Sequence, residues 1–386
     1  MVRRIDRVGG VLWRMASVLA LVVLVQLSFG DLGAAPWRVR IAAQVDGGVP
    51  RLETRTEVTR AQRVLLWLIV ERTGPRGRSE LFSGFDGVVH RGRRRLRVKR
   101  WPATTPFPVT WYKVEPLTQH TTRGHDPTVP GFLWYTNAHV PESPKRGWLG
   151  IDRIAYVERV ASRAGFSLRP DTQPSDPQQH RAPRLGVMRY SAVVTIAGAE
   201  YRTPGKDARS TWGIAASVYT IAVRRDDSFV GWATAWFNVP GVYGSVPRQV
   251  DDFIGVDCAD LVIGAYRRWK RRKVAYTNVN GLVKAFRHVG KPLYLAPSGK
   301  LFHDMALTRP ARVPFRSGLV ITFSYPDGLR SGYEHVGIVD RDNGNGVLDG
   351  DDTVLHTGPE SPHLSALKSP GFVGEKPTKI LLLRLD

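Results

Sequence analysis

From Trp37 to about residue 240 the apolar side chains come in short alternating runs separated by turn residues, which is the pattern of strands with one buried face. The candidate strands are Trp37 to Ala43, Arg63 to Glu71, Leu96 to Trp101, Val109 to Val114, Gly131 to Tyr135, Val187 to Ala197, Ile214 to Arg224 and Phe229 to Phe237. The last two flank Arg225-Asp226-Asp227-Ser228, which reads as a hairpin turn. Ile151 to Ala164 is expected to cross this part as a helix. Short strands at this spacing suggest a sandwich of immunoglobulin-like type. Two Pro-rich stretches interrupt it, Pro102 to Pro108 and Pro170 to Pro183. The second has no apolar periodicity and reads as an exposed linker or long loop.

From about residue 241 the pattern changes. Leu261, Val262, Ala265, Tyr266 and Trp269 recur at three- and four-residue spacing, the stripe of a helix with one buried face. Asn278 to His288 reads as a second helix. Leu319 to Tyr325, His335 to Asp340, Thr353 to Thr357 and Ile380 to Leu385 read as strands. A helix packed on an antiparallel sheet is an α+β arrangement. The chain therefore divides into a leader over 1–35, a β-rich part over 36–240 and an α+β part over 241–386.

The leader has the form of an export signal, with Arg3, Arg4, Arg7 and Arg14 ahead of an apolar run from Met15 to Phe29 and small residues at Gly33, Ala34 and Ala35. Pro36 fits poorly just after a cut there, so an uncleaved membrane anchor is the alternative. Either form sends the protein out of the cytoplasm, to the periplasm, the cell envelope or the medium. The 386 residues carry a formal net charge of +22, which attracts polyanions. Export favours an anionic cell-envelope polymer over nucleic acid as the partner. The densest cluster is Arg91 to Arg100; it reads equally as a binding patch or as a solvated basic edge strand.

Cys258 is the only cysteine, so no intramolecular disulfide exists. Exported proteins usually carry cysteines in pairs, and a single one there points to a reactive group. The helical stripe puts Cys258 on the first turn, where N–H groups and the helix dipole favour a thiolate. Asp257 is placed to cap the helix, and its carboxylate opposes that effect, so a nearby protonated histidine is expected to assist. The bland alternative is a small buried hydrophobe.

His335 opens one strand and His356 lies in the next, so adjacent antiparallel strands can bring both to the helix start. A cysteine nucleophile needs a base within hydrogen-bond reach, and the base needs a third group to set its tautomer. Tyr243-Gly244, Gly255-Val256-Asp257-Cys258-Ala259-Asp260-Leu261-Val262, His335-Val336-Gly337-Ile338-Val339 and Val354-Leu355-His356, in that order, resemble the NlpC-type cell-wall cysteine peptidases. The resemblance covers about 241–386. It implies a papain-like fold for that part, Cys258 as nucleophile, His335 as general base, His356 as its orienting partner, and cleavage of amide bonds in peptidoglycan stem peptides. It departs from the family at Ala259-Asp260, where Ser-Gly is usual, and in a long connector around Leu295 to Pro314. Tyr243 and Asp257 are the candidate substrate-binding residues. No cofactor is required for this chemistry.

Between the two histidines, the stretch from Asp340 to Asp352 carries oxygen side chains at alternate positions around glycines, as a Ca²⁺ loop does. Asp340, Asp342, Asn343, Asn345 and Asp352 are the candidate ligands, and a polar hairpin built on Asn-Gly turns is the equal alternative. The sequence thus favours an exported thiol amidohydrolase. A scaffold or envelope-binding protein without activity, and a thiol acyltransferase, stand as alternatives.

Overall fold

Alternation of buried and exposed side chains carries most of the chain into strands, as the computed structural model of residues 37–74, 79–105, 107–117, 134–137, 148–163, 165–176, 182–328 and 332–385 shows. The first set comprises β1 (Trp37–Val45), β2 (Arg55–Thr59), β3 (Val64–Thr73), β4 (Ser79–Ser83), β5 (Gly87–Arg91), β6 (Arg94–Arg100), β7 (Val109–Pro116), β8 (Tyr156–Ser162), β9 (Gly186–Ile196) and β10 (Tyr219–Arg224). One sheet runs in the order β1-β3-β4-β6-β5 and curls until its ends meet. Arg51 bridges Ala43 of β1 on one side and His90 of β5 on the other. The curl encloses Ala42, Ile69, Leu81, Val89 and Val98. Neighbouring side chains point the opposite way, so Val39, Ile41, Leu66 and Leu68 face a second sheet of order β8-β7-β9-β10-β2, across a core that holds Trp111 and Tyr190.

The second set comprises β11 (Leu293–Leu295), β12 (Leu301–Phe302), β13 (Val320–Ser324), β14 (His335–Arg341), β15 (Thr353–His356), β16 (His363–Ala366) and β17 (Thr378–Arg384), in the spatial order β12-β11-β17-β13-β14-β15-β16. Between the two sets lie α1 (Phe229–Ala233), α2 (Pro247–Asp251), α3 (Cys258–Lys270) and α4 (Val279–Ala285). Helix α3 starts where Asp257 caps it and stops at Arg271, which takes a left-handed φ of 51°. Arg267, Arg268 and Lys270 in its last turn suit the negative end of the helix dipole. Its stripe of Leu261, Val262, Ala265 and Tyr266 packs on Val336, Ile338 and Leu355 of the sheet. The same cluster takes in Leu185, Val187 and Ala222, so apolar packing is continuous across residue 240.

Several expectations are corrected. The α+β, papain-like fold, with a sandwich before it, is overturned: the chain is mostly β, with 42% strand and 11% helix, half-barrel sheets and only short helices. Only α3 has both a cap and a sustained apolar stripe; elsewhere strand pairing wins. The helix expected over Ile151 to Ala164 is instead a 3₁₀ turn (Ile151–Arg153) followed by β8, whose backbone pairs along β7. The strand expected from Phe229 to Phe237 is α1 and a further 3₁₀ turn (Thr234–Trp236), because the Ser228 hydroxyl accepts the Gly231 N–H and caps a helix start. Within the second Pro-rich stretch, Thr172 is buried and its hydroxyl donates to the Leu185 carbonyl, so residues 170–176 are seated on the sheet. The leader over 1–35 lies outside the described residues.

Gly186 shows how close the packing is at the start of β9. Its φ is 91°, and a Cβ there would stand 2.3 Å from the Phe237 carbonyl oxygen. We expect Gly186→Ala to lower stability by about 2–4 kcal/mol, read by denaturant unfolding, since both the backbone angle and the contact oppose it.

Candidate active site

Cys258 stands on the first turn of α3, as the stripe implied, over a network of carboxyl groups. The Asp257 carboxylate accepts the Asp260 N–H at 2.8 Å and takes further backbone N–H bonds from Ala259, Gly244 and Ser245. The Ser245 hydroxyl accepts the Asp257 N–H at 3.0 Å and donates to Asp260 Oδ2 at 2.7 Å. Burial pushes both carboxyl groups up, and for Asp260 the charge of Asp257 adds to it. With its N–H bonds Asp257 is the better placed of the two to stay ionised. These bonds engage the Asp257 carboxylate in holding the helix start, so the structure gives it a capping position rather than a substrate-facing one.

The helix-dipole argument for a lowered thiol pKa does not hold here. Burial pushes the Cys258 thiol well up, and the Asp257 charge pushes the same way. The Val336 and Ala259 N–H groups pull it back only in part. The resting group is therefore a thiol. The influence of the Val336 N–H on the thiol places the sulfur near the first residues of β14.

His335, the residue before Val336, begins a chain of side-chain contacts. Its Nε2 lies 3.2 Å from His356 Nδ1, and His356 Nε2 lies 3.2 Å from Ser365 Oγ. Strand pairing produces this: β15 lies between β14 and β16, and His356 is directly opposite His363. The His335 and His356 rings meet edge to face with centroids 5.3 Å apart. The His363 ring lies 4.3 Å from that of His356, and Phe372 lies against His335 and His356. Burial pushes His335 down to about 4, with the charge of His363 contributing. It is thus neutral at pH 7 and able to accept a proton. A neutral ring has one N–H. If His335 Nε2 donates to His356 Nδ1, His356 Nε2 carries its own proton toward Ser365, and His335 Nδ1 is left as the base.

Sequence reasoning named Cys258, His335 and His356, and the fold brings their strands and helix together. Ser245, Ser365 and Phe372 carried no signal, and His363 was passed over because its context was ordinary. Only the β15–β16 register, which sets His363 beside His356, reveals it. Tyr243 lies in a short strand that pairs with Tyr135 and Thr136, directly before the Gly244 and Ser245 N–H groups that reach Asp257.

The loop after β14 gathers some of the candidate calcium ligands and turns one away. Asp340 Oδ1 accepts from Arg225 at 2.6 Å. Asp342 Oδ2 accepts the Gly346 N–H, and Asp352 accepts the Asn343 and Asp349 N–H groups. The Asn343 and Asn345 amides both donate to Asp349, a residue the sequence reading left out. These bonds are those of a self-closed polar turn. Among the described residues no group of three or more His, Cys, Asp or Glu side chains is placed to hold a metal. Arg225 takes up Asp340 Oδ1, while Asp340 Oδ2 and Asp342 Oδ1 are buried with no hydrogen-bond partner among the described residues.

No protein-family model matches the chain, and no curated protein matches it.

Two outcomes are expected. The rate of Cys258 alkylation by iodoacetamide should rise about tenfold per pH unit and still be rising at about pH 9.5, where a free thiol of pKa near 8.5 has levelled off. A plateau near neutral pH refutes the raised thiol. Because Asp260 holds its proton more tightly folded than unfolded, stability falls as pH rises above the ordinary carboxyl range. Asp260→Asn removes that loss, so urea unfolding at pH 8 and pH 5 should show the variant gaining on the wild type by about 1 kcal/mol or more at the higher pH.

Proposed function

We propose that this protein is an exported thiol hydrolase that cuts amide bonds, with peptidoglycan stem peptides as its substrate class. The observation that carries the reading is the line of side chains from His335 through His356 to Ser365, with Cys258 at the start of the helix that packs on the His335 strand. The residue order that resembles the NlpC-type peptidases supports the same chemistry, although the fold gives that resemblance no support.

At rest both thiol and imidazole are neutral, so proton transfer and attack proceed together. His335 takes the Cys258 proton as the sulfur bonds to the substrate carbonyl carbon. The Cys258 N–H, a first-turn group with no acceptor inside its helix, faces the developing oxyanion. The imidazolium then gives its proton to the leaving amine as the C–N bond breaks and a thioester forms. Water, activated by the same imidazole, hydrolyses the thioester and restores the thiol. His356 stabilises the imidazolium through its lone pair, and Ser365 keeps His356 in the tautomer that offers it.

One observation favours a second reading, a binding scaffold without activity: burial, with the Asp257 charge beside it, pushes the Cys258 thiol up and favours its protonated form. Muropeptide digestion followed by mass spectrometry separates the two. Under the hydrolase reading Cys258→Ala abolishes cleavage, His335→Ala lowers it by about 10³-fold or more, and Ser365→Ala lowers kcat by about tenfold with KM little changed. Muropeptides that bind and are never cut establish the scaffold.

A further inference from the structure

The β5–β6 hairpin carries a concentration of charge that the fold does not neutralise. Around it, basic residues have carboxylate partners: Arg72 and Lys99 share Glu80, Arg40 and Arg91 share Glu71, and Arg100 lies 3.8 Å from Asp86. Arg93, Arg94, Arg95 and Arg97 are exposed and make no ion pair among the described residues. Val89, Leu96 and Val98 point into the closed curl of the sheet, so Arg95 and Arg97 point outward, opposite His90 and Val88. Arg91 and Arg94 oppose each other across the tight turn at Gly92-Arg93. Like charges so placed oppose folding.

The bland account of such charges, that they blunt an open sheet edge, fails on the hydrogen bonds. β6 lies inside the sheet, between β4 and β5. The outer edge of β5 is covered at His90, where the Leu52 N–H donates to the His90 carbonyl at 2.7 Å and the His90 N–H to the Pro50 carbonyl at 2.8 Å. At His90, opposite Arg95, no bare edge remains for the arginines to protect.

We propose that this hairpin is a docking surface for a linear phosphodiester polymer of the polyol-phosphate kind, held by Arg93, Arg95 and Arg97. Arg95 and Arg97 are alternate residues of β6, about 6.7 Å apart along the strand, with Arg93 in the turn next to them, a spacing on the length scale at which an extended polyol-phosphate chain repeats its charge. Each guanidinium presents two parallel N–H donors to a phosphate. Val88 and His90 are the side chains opposite Arg97 and Arg95, so the row offers one imidazole and no run of aromatic rings on which successive bases of a single-stranded nucleic acid would stack. The inference does not rest on the chemistry of Cys258.

The test is titration of the full chain with a synthetic oligo(glycerol phosphate) between about 50 and 200 mM salt. Arg93→Gln/Arg95→Gln/Arg97→Gln should weaken binding at least about tenfold and flatten the log–log salt dependence by about 2. A control triple, Lys270→Gln/Arg272→Gln/Lys273→Gln, removes the same charge from exposed positions at the end of α3 and should weaken binding less than about threefold. Equal losses from the two triples reduce the effect to net charge and overturn the proposal. Tighter binding of oligothymidylate, or binding to phosphatidylglycerol vesicles with none to the soluble polymer, overturns it too. If the hairpin triple fails to melt with the wild type, Arg97→Glu alone carries the same comparison.

Discussion

The arrangement around Cys258 depends on one half-buried carboxylate. Asp257 draws in N–H groups from two separate stretches, Gly244-Ser245 and Ala259-Asp260, and so fixes the start of α3 against the strand that precedes it. Without those bonds the first-turn N–H groups and the loop N–H groups would be left without partners in a crowded site. Ser245 then ties Asp260 into the same knot. The position of the sulfur relative to β14 follows from this anchoring and from the apolar stripe that seats α3 on Val336 and Ile338.

The same anchoring has an electrostatic consequence that opposes simple thiolate chemistry. A carboxylate beside the thiol, in surroundings where water screens little, disfavours a second negative charge. Burial acts on His335 in the opposite sense and keeps it neutral. The same burial thus favours the uncharged form of both the thiol and the imidazole.

Across the rest of the molecule charge is handled differently on different faces. Glu71 and Glu80 each serve two basic side chains on the first sheet. Arg93, Arg94, Arg95 and Arg97 have no such ion pair among the described residues, and at His90 the sheet closes its edge with backbone bonds alone. The loop after β14 uses its acids and amides on its own backbone. Similar residue types thus serve as ion-pair acceptors, turn formers and helix anchors, depending on which backbone groups lie within reach.

Much of this was legible in the chain. The stripe from Leu261 to Trp269 predicted α3, Asp257 was readable as its cap, and the alternating runs predicted β1, β3, β6, β7 and β9 nearly in place, because each of those signals is local. Cys258, His335 and His356 stood out by residue type and by position at element starts. What the tertiary structure alone decided was everything that depends on distant pairing. Strand β8 was taken for a helix because its partner β7 lies some forty residues away. Ser365 and His363 reach His356 only through the β15–β16 register. The closing of the first sheet through Arg51, the mostly β character of the whole and the rise of the thiol pKa under burial arise from packing, which residue order does not encode locally.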